Sequence, residues 1–422
     1  MNLTKKDRKY IWHPFTQEKT ASLPLPIVKA KGSYLYDEKG KKYLDLVSSW
    51  WVNLHGHAHL KISKAIYHQA CILEHVIFAG FTHSPAITLC EKLSKILPPH
   101  LSRFFFSDDG STAIEIALKI AYQFWVNQNQ DKRKKFLSFH GGYHGDTFGA
   151  MAVGKTSGFH DTFKSLFFPV YTIPFPHTWI NDKDVEEKEF FALKALDKYL
   201  EKHGSTTACF ILEPLVQAAS GMRLCRPTFL DQCIKKLRAY HILIIFDEIM
   251  TGFGRTGHNF AMDILQEKPD ILCLSKGLTG GFLPLALTIV KEEIYTRFLS
   301  DDFTKALSHG HSYTANPLGC AAACASLDIL LTTKTKKNIK QIEKVHEEEI
   351  SKLLDNKKVK NPRFLGTIAA WNTKDAKKLK QQALKNGLII RPLNDNVYLL
   401  PPYCTPIKTL QQAYSNLISL ID

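Results

Sequence analysis

Two short apolar runs, each ending in a single ionisable residue, constrain the fold of this chain more than any other feature. The runs are Ile242–Asp247 (ILIIFD) and Ile271–Lys276 (ILCLSK). Runs of this length, rich in Ile and Leu and bounded by polar residues, are typical of fully buried parallel strands. Ligands of an open parallel α/β sheet bind beyond the carboxyl ends of its strands, so we expect Asp247 and Lys276 at the rim of a binding site.

The lysine at the end of a buried strand is the more informative of the two ionisable residues. An ammonium group in apolar surroundings costs free energy unless it is paired or reacts. A Schiff base between Lys276 and pyridoxal phosphate, with the carboxylate of Asp247 on the pyridine nitrogen, requires such a pair. The alternative is a lysine in a surface loop and an aspartate that caps the next helix. The two runs alone leave both readings open.

Length and composition are those of a large globular enzyme. The 422 residues suffice for two domains, and 45% hydrophobic with 23% charged residues is ordinary for such a protein. No run approaches the roughly 18 apolar residues of a membrane span. Met1–Tyr10 is polar and lacks the apolar segment of a secretory signal. The nine cysteines contain no CxxC pair, and Cys320 and Cys324 suit the core of a helix, so we expect a reduced, cytoplasmic chain.

The formal net charge of +15 raises the question of nucleic-acid or membrane binding. The basic residues are scattered in short runs such as Lys132–Lys135, Lys334–Lys340 and Lys377–Lys380. No nucleic-acid-binding motif accompanies them. We therefore expect a solvated basic surface, with nucleic-acid binding as the minor alternative.

Strand-like and helix-like segments alternate through the middle of the chain. The predicted strands, besides the two runs above, are Gly32–Tyr36, Lys42–Leu46, Phe104–Ser107, Phe136–Phe139, Phe167–Ile173, Ala208–Leu212, Leu285–Val290, Phe364–Ala370, Leu388–Arg391 and Val397–Leu400. The predicted helices lie within Leu60–Leu97 (interrupted near Gly80–Pro85), after Gly110–Ser111, and over Phe190–His203, Phe229–Tyr240, Leu318–Leu331, Ile339–Leu354 and the last residues. This order predicts an α/β fold, with a mostly parallel central sheet between two layers of helices. We expect a large domain over residues 59–311 and a smaller α+β domain built from residues 1–58 and 312–422.

The segment Asp108–Thr112 (DDGST) lies between a predicted strand and a predicted helix. The free backbone N–H groups and the dipole of a helix N-terminus favour an anion, and Ser111 and Thr112 offer hydroxyl donors. This order therefore predicts a phosphate site, whereas plain capping of the helix by Ser111 is the alternative.

Other loops at the expected rim carry candidate binding residues. Tyr143 in His140–Gly145 (HGGYHG) is placed to cover a flat ring, although an ordinary glycine-rich turn with a packed tyrosine explains the segment equally well. Glu213, after Ala208–Leu212, either orients its neighbours or is solvated. Arg391 is a candidate clamp for a substrate carboxylate, with a surface salt bridge as the alternative.

Neither histidine-rich piece predicts a metal site. The spacings in His55–His59 (HGHAH) and His309–His311 (HGH) match no common zinc signature, and no paired carboxylates complete them. Trp50 and Trp51 stand beside the first piece. Neighbouring side chains of an extended segment point to opposite faces, so one ring is expected in the core and the other at a pocket.

With these residues assembled, the chain resembles the class III aminotransferases, which depend on pyridoxal phosphate and have the fold of the type I transferases. The resemblance is carried first by Phe246–Gly257 (FDEIMTGFGRTG) and Pro269–Gly281 (PDILCLSKGLTGG). It extends through Ile11–Gln17, Ser48–Gly56, Gly142–Met151, Asn316–Ala323, Arg391–Pro392 and Tyr403, and so covers nearly the whole chain. These further motifs resemble those of the family members that make 7,8-diaminopelargonate for biotin.

The resemblance implies a role for each candidate residue near the cofactor. Lys276 forms the Schiff base and moves the proton, and Asp247 keeps the pyridine nitrogen protonated. Gly110 and Ser111 hold the phosphate. Tyr143 covers the ring and borders the substrate.

The resemblance also implies a shared site in a homodimer. Trp51, Arg391 and the residue at position 15 line the substrate pocket, and Arg391 takes the substrate carboxylate. Gly310, His311 and Ser312 reach the cofactor phosphate and the substrate of the neighbouring subunit. The implied substrates are 7-keto-8-aminopelargonate and, as amino donor, S-adenosyl-L-methionine. Lysine as donor, or an ω-aminotransferase of ornithine, 4-aminobutyrate or a diamine, is the alternative.

The sequence departs from this family pattern in places. Phe15 stands where the family often has tyrosine, which removes a hydrogen bond of about 1 kcal/mol and leaves the amino donor open. His311–Ser312 replaces a common Pro-Thr pair. Ala218, Ala219 and Ser220 partly replace a glycine-rich piece after Gln217, and reshape the expected pocket edge.

Overall fold

A computed structural model describes residues 3–154 and 159–421 of the chain. Its strands are β1 Ile27–Lys31, β2 Tyr34–Asp37, β3 Lys42–Asp45, β4 Leu101–Ser107, β5 Lys135–Phe139, β6 Val170–Ile173, β7 Thr207–Leu212, β8 Val216–Gln217, β9 Arg223–Leu224, β10 Leu243–Asp247, β11 Ile271–Leu274, β12 Ala286–Lys291, β13 Lys360–Leu365, β14 Ile368–Asn372, β15 Leu388–Ile389 and β16 Asn396–Leu399. Its α-helices are α1 Leu3–Tyr10, α2 Ser48–Trp51, α3 Leu60–Ala70, α4 Ser84–Ser94, α5 Gly110–Val126, α6 Phe148–Val153, α7 Val185–His203, α8 Pro227–Arg238, α9 Glu292–Thr296, α10 Pro317–Leu330, α11 Thr333–Lys352, α12 Ala376–Lys385 and α13 Ile407–Ile421.

Seven strands form the central sheet, in the order β4-β12-β11-β10-β7-β5-β6. The pairs β11–β10, β10–β7, β7–β5 and β5–β6 are parallel. β12 runs antiparallel to both of its neighbours, β11 and β4. The sheet is therefore mostly parallel, which confirms the predicted α/β fold class.

The central strands are apolar because both faces of the sheet are covered. In β10, Ile244 and Phe246 belong to one hydrophobic cluster, and Leu243 and Ile245 belong to another. Side chains of a strand alternate between faces, so each cluster lies on its own side of the sheet. Helices α7 and α8 supply the first cluster and α5 supplies the second. This two-sided burial is the reason for the uninterrupted apolar runs.

The two chain ends meet in a smaller sheet of order β1-β2-β3-β15. β15 pairs in parallel with β3, with Leu388 opposite Leu44 and Ile389 opposite Asp45. Leu44 and Leu388 belong to a third hydrophobic cluster. A third sheet, β13-β14-β16, contributes Trp371 and Leu399 to this cluster. The pairing joins segments that the sequence assigns to one domain, while the domain boundaries stay a prediction.

Several predicted segments end differently in the structure. The segment Phe364–Ala370 is the hairpin β13–β14, because Gly366 turns the chain in the left-handed region (φ 57°). Arg391 lies beyond the end of β15, and Lys276 lies beyond the end of β11 in a 3₁₀ turn. β1 is absent from the prediction, since most of its residues are exposed and show no alternation. Within the described ranges, no helix is long and apolar enough to cross a membrane.

Candidate active site

Asp247 and Lys276 lie at the same edge of the central sheet and line one cavity of about 440 Å³. Asp247 is the last residue of β10 and is 4% exposed. Lys276 begins the turn that follows β11. The carboxyl ends of these neighbouring parallel strands meet, so the chain brings the two groups together as predicted. The alternative of a surface-loop lysine is wrong.

Lys276 carries a reactive rather than a paired amine. Within the described ranges no carboxylate lies within ion-pair distance of its Nζ, which stands 5.5 Å from the centre of the Trp51 ring. Burial lowers the pKa of the ammonium group, and the carboxylates of Asp247 and Glu213 oppose this effect. The backbone of Lys276 is left-handed (φ 42°), a strained conformation for a residue with a side chain. A depressed pKa increases the fraction of uncharged amine that can act as nucleophile and base.

Asp247 is held in place from two sides. Its Oδ2 lies 2.7 Å from Nδ1 of His144, and its Oδ1 accepts the N–H of Ile249 at 3.1 Å. His144 is fully buried, and its Nε2 has no hydrogen-bond partner in the part of the chain that the structure describes. The histidine therefore fixes the orientation of the carboxylate at the floor of the cavity.

The N-terminus of α5 opens onto the cavity through Gly110 and Ser111. Asp109 caps the helix in a reciprocal pair with Thr112, whose hydroxyl donates to the Asp109 carbonyl. The alternative of helix capping by Ser111 is therefore wrong, and the Thr112 hydroxyl, expected as a donor to an anion, donates within the cap instead. A Cβ at Gly110 would stand 2.9 Å from the side chain of Ile249, so this close approach requires glycine.

Tyr143 and Glu213 shape one wall of the cavity. The Tyr143 hydroxyl donates to Oδ2 of Asp146 at 3.0 Å, and its ring stacks on His160 at 5.9 Å. Glu213 is buried and accepts the N–H groups of Tyr143 and Ala218 at 3.0 and 2.9 Å. Burial raises the pKa of Glu213 to about 7. Glu213 therefore orients the tyrosine loop, and the solvated alternative is wrong.

The two neighbouring tryptophans have different surroundings. Trp51 lines the cavity, is 4% exposed, and donates from Nε1 to the hydroxyl of Tyr398 at 3.0 Å. Trp50 is exposed, with the Arg391 guanidinium 4.0 Å from its ring centre and Phe15 edge-on at 5.8 Å. Phe15 and Arg391 thus form a cluster around Trp50, beside the cavity rather than on its lining.

The loop Gly310–Ser312 also lies outside the cavity lining. His311 Nδ1 contacts Oδ2 of Asp108 at 2.9 Å, and Asp108 itself lines the cavity. Gly310 and Ser312 are exposed. This contact explains the unusual histidine within its own chain, while the reach of the loop to a neighbouring subunit stays a prediction.

Sequence reasoning missed His144 and Asp146 as site residues. His144 belongs to the segment His140–Gly145 that contains Tyr143, and Asp146 directly follows it, so their position next to Tyr143 was the available signal. In residues 3–154 and 159–421, no group of three or more His, Cys, Asp or Glu side chains has the arrangement of a metal site. His55, in the first histidine-rich piece, instead bonds Ser326 at 3.0 Å.

The cavity fits pyridoxal phosphate by the chemistry of its walls. It combines an unpaired amine on Lys276, a buried carboxylate on Asp247 and the N-terminus of α5. The hydroxyl oxygen of Ser111 accepts only the N–H of Asp146 at 3.2 Å, and no bond donated by this hydroxyl is found in the described chain. These groups match an aldehyde, a protonated ring nitrogen and a phosphate, respectively.

Comparison with known proteins agrees with this chemistry. The family model of the class-III aminotransferases matches residues 15–421. An adenosylmethionine-8-amino-7-oxononanoate aminotransferase of Synechococcus elongatus is 48% identical over 98% of both chains. One of Helicobacter pylori is 40% identical over 100% of this chain and 98% of that one. The crystal structure of the Methanocaldococcus jannaschii enzyme of the same name has a TM-score of 0.92 at 38% identity, over 99% and 98% of the two chains. An amine transaminase from an uncultivated Pseudomonas species, solved in its PLP-bound form, has a TM-score of 0.91 at 28% identity over 98% of both chains.

Proposed function

The chain belongs to the class-III aminotransferases and is an enzyme that uses pyridoxal phosphate, and from this premise we propose its reaction. The enzyme transfers an amino group from S-adenosyl-L-methionine to 8-amino-7-oxononanoate (7-keto-8-aminopelargonate). The product is 7,8-diaminopelargonate, an intermediate of biotin biosynthesis. The observation that carries this proposal is the 48% identity, over nearly the full length, to a relative named for these two substrates.

The side chains of the cavity divide the catalytic work. Pyridoxal phosphate, when bound, supplies an electron-withdrawing ring that stabilises negative charge on the substrate carbon. Gly110 and Ser111 hold its phosphate, and Asp247 holds the proton on its ring nitrogen. Lys276 would hold the aldehyde group of the cofactor through Nζ, and as an uncharged amine it would take the proton from the substrate carbon that bears the amino group.

The walls of the cavity keep these groups in position. Tyr143 is held by its hydrogen bonds to Asp146 and Glu213, and in this position it would cover the cofactor ring. Trp51, fixed by Tyr398, excludes water from the side of Lys276. Restricted motion of the reacting groups lowers the entropy cost of the proton transfer.

Arg391 and Phe15 select the substrate next to the cavity. We assign the substrate carboxylate to Arg391, whose guanidinium lies over the ring of Trp50 and offers donors for a bidentate bond. Phe15 closes the other edge of Trp50 with an apolar ring, which suits the hydrocarbon chain of 8-amino-7-oxononanoate.

We expect Arg391→Ala to raise the KM for the keto acid by roughly 10–100-fold, because it removes a charge-assisted bond of about 1.5–3 kcal/mol. Steady-state kinetics with the keto acid and with its methyl ester measure the effect. The unmodified enzyme is expected to prefer the free acid, and the variant to accept both equally. A variant that retains the preference for the acid would place the carboxylate elsewhere.

The reaction is tested by assaying the cofactor-loaded enzyme with 8-amino-7-oxononanoate and one amino donor at a time. We expect diaminopelargonate with S-adenosyl-L-methionine. If diaminopelargonate formed with lysine but not with S-adenosyl-L-methionine, the amino donor would be lysine and the acceptor would stay as proposed. No product with either donor, together with rapid turnover of ornithine or 4-aminobutyrate, would replace the proposed reaction by that of an ω-aminotransferase.

We also propose that the enzyme is a cytoplasmic homodimer with shared active sites. Large apolar side chains are exposed around the loop Gly310–Ser312, with Phe303 85% and Tyr313 62% exposed, and dimer formation would bury them. The nine cysteines are free, which suits a reducing compartment.

Mixed dimers test the shared site. Lys276→Ala removes the amine, and Ser312→Asp sets a negative charge against the cofactor phosphate. If Ser312 serves the neighbouring subunit, mixing the two inactive variants creates one intact site in each mixed dimer, and about a quarter of the full activity returns. If Ser312 serves its own chain, mixing restores nothing, and the proposed exchange of loops is wrong.

A further inference from the structure

A second cavity, of about 170 Å³, lies beside the active site and is lined by two arginines, Arg223 and Arg363. We call it the two-arginine cavity. It is bounded by the start of β16, by the strand β9 and by the loop that follows β8. Its lining is polar, with several amide side chains, and it takes no part in the proposed reaction.

Arg363 is buried, yet all of its hydrogen-bond partners are neutral. Its guanidinium donates to the carbonyls of Met222, Gly221 and Asn361 and to the side chains of Asn372 and Asn396. These bonds use all five N–H groups. Burial lowers the pKa of Arg363 to about 10. The residue therefore brings a fixed positive charge into the cavity wall without a counter-charge.

Arg223 adds a second positive charge and still has donors to offer. In the described ranges its guanidinium makes no hydrogen bond, and no carboxylate lies within ion-pair distance of either arginine. His177, also on the wall, stays neutral at ordinary pH, because burial and then the charge of Arg223 lower its pKa. Asp395 is exposed at the rim, where it accepts a hydrogen bond from Asn372. The cavity is left with an excess of positive charge.

Asn396 supplies an independent sign of a missing partner. It is 2% exposed, and its Oδ1 accepts from Arg363, but its Nδ2 has no hydrogen-bond partner in the described part of the chain. A buried amide donor left unpaired costs about 1–3 kcal/mol. An oxygen atom in the cavity would satisfy this donor.

We propose that the two-arginine cavity binds a small oxyanion, a phosphate or a carboxylate group, held by Arg223 and by Nδ2 of Asn396. Guanidinium groups bind such oxygens through paired N–H donors. The positive charge of Arg363 strengthens the attraction although its own donors are used. An anion there neutralises charge that burial otherwise makes costly.

The cavity adjoins the substrate side of the enzyme. Ala219 and Ser220 line it, whereas the preceding Ala218 lines the active-site cavity. Phe159 lines it as well and contacts the ring of Phe15 at 5.6 Å. The proposal of an anion site does not rest on the proposed reaction, since its residues are separate from Lys276 and Asp247.

The test uses the cofactor-loaded enzyme, so that the cofactor already fills the phosphate site of α5. Thermal unfolding is measured in inorganic phosphate, in acetate and in chloride at equal ionic strength, with calorimetric titration of phosphate as the direct measurement. We expect phosphate or acetate to raise the Tm by several degrees over chloride, because an anion bound to the folded state stabilises it. A response to phosphate alone identifies a phosphate-type ligand, and a response to acetate alone identifies a carboxylate.

Two variants localise the response. Arg223→Gln is expected to lose it, whereas Arg297→Gln, at an exposed arginine outside the cavity, keeps it. Asn396→Asp sets a carboxylate of the same size beside Arg363, so it is expected to raise the Tm in chloride and to abolish binding of added anion. The proposal would be overturned if the Tm in phosphate and in acetate were no higher than in chloride. It would also be overturned if the rise in Tm persisted in both Arg223→Gln and Asn396→Asp.

Discussion

Replacing Lys276 by alanine is expected to lower the rate of transamination by roughly 10⁴-fold or more, since a positioned general base alone contributes about 10²–10⁴-fold. The residue also binds the cofactor covalently, so two functions are lost together. The protein itself should stay folded, because Lys276 makes no ion pair in the described chain and its side chain ends in a cavity. Single-turnover assays with each substrate measure the loss.

The companion variant Lys276→Arg separates amine chemistry from charge. Arginine keeps a positive group beside Asp247, but it does not give up its proton and does not attack an aldehyde. Both variants are therefore expected to be inactive, to unfold at a Tm close to that of the unmodified protein, and to lack the absorbance of covalently bound cofactor. Activity in Lys276→Arg would show that charge, rather than an uncharged amine, is what the reaction requires.

Replacing Asp247 by asparagine is expected to lower kcat by about 10²–10³-fold, comparable to the loss of one preorganised electrostatic group in other enzymes. The amide has the shape of the carboxylate and keeps an acceptor for the N–H of Ile249. It does not carry the negative charge that holds a proton on the ring nitrogen. The expected change is thus in the chemical step, with smaller effects on KM.

The variant His144→Phe is the matched control for Asp247. It removes the 2.7 Å contact to Oδ2 but leaves the charge, so we expect a loss well below that of Asp247→Asn. If kcat fell as much in His144→Phe as in Asp247→Asn, the histidine proton, and not the carboxylate charge, would determine the protonation of the ring nitrogen. Activity of Asp247→Asn within threefold of the unmodified enzyme would contradict the role of Asp247.

The central sheet and the catalytic pair were predictable because their signals are local. The runs of β10 and β11 owe their composition to burial on both faces, and the reactive groups follow directly after them. The start of α5 at Gly110 could also be predicted, since a glycine-containing polar turn between an apolar strand and an apolar helix marks it. For these elements, the order and spacing of residues along the chain are enough to predict the structure.

The hydrogen bonds that hold the site residues in position could not be predicted, because they join distant parts of the chain. His144 and Asp247 are 103 residues apart, and no periodicity links them. Glu213 accepts the N–H of Tyr143, which is 70 residues away. The two-arginine cavity likewise combines residues from β9, β13 and β16. Hydrogen bonds over such separations follow from the assembled fold.

The hydrogen bond between Trp51 and Tyr398 of β16 has a consequence for the order in which the enzyme matures on the ribosome. Trp51 is held by Tyr398, a residue made 347 positions later. At about 5–20 residues per second, synthesis takes roughly 20–70 s to cover that distance. The central sheet from β4 to β12 is complete before β15 and β16 emerge. The wall on the Trp51 side is therefore finished last, and a nascent chain acquires its catalytic lysine before the surface that selects its substrate.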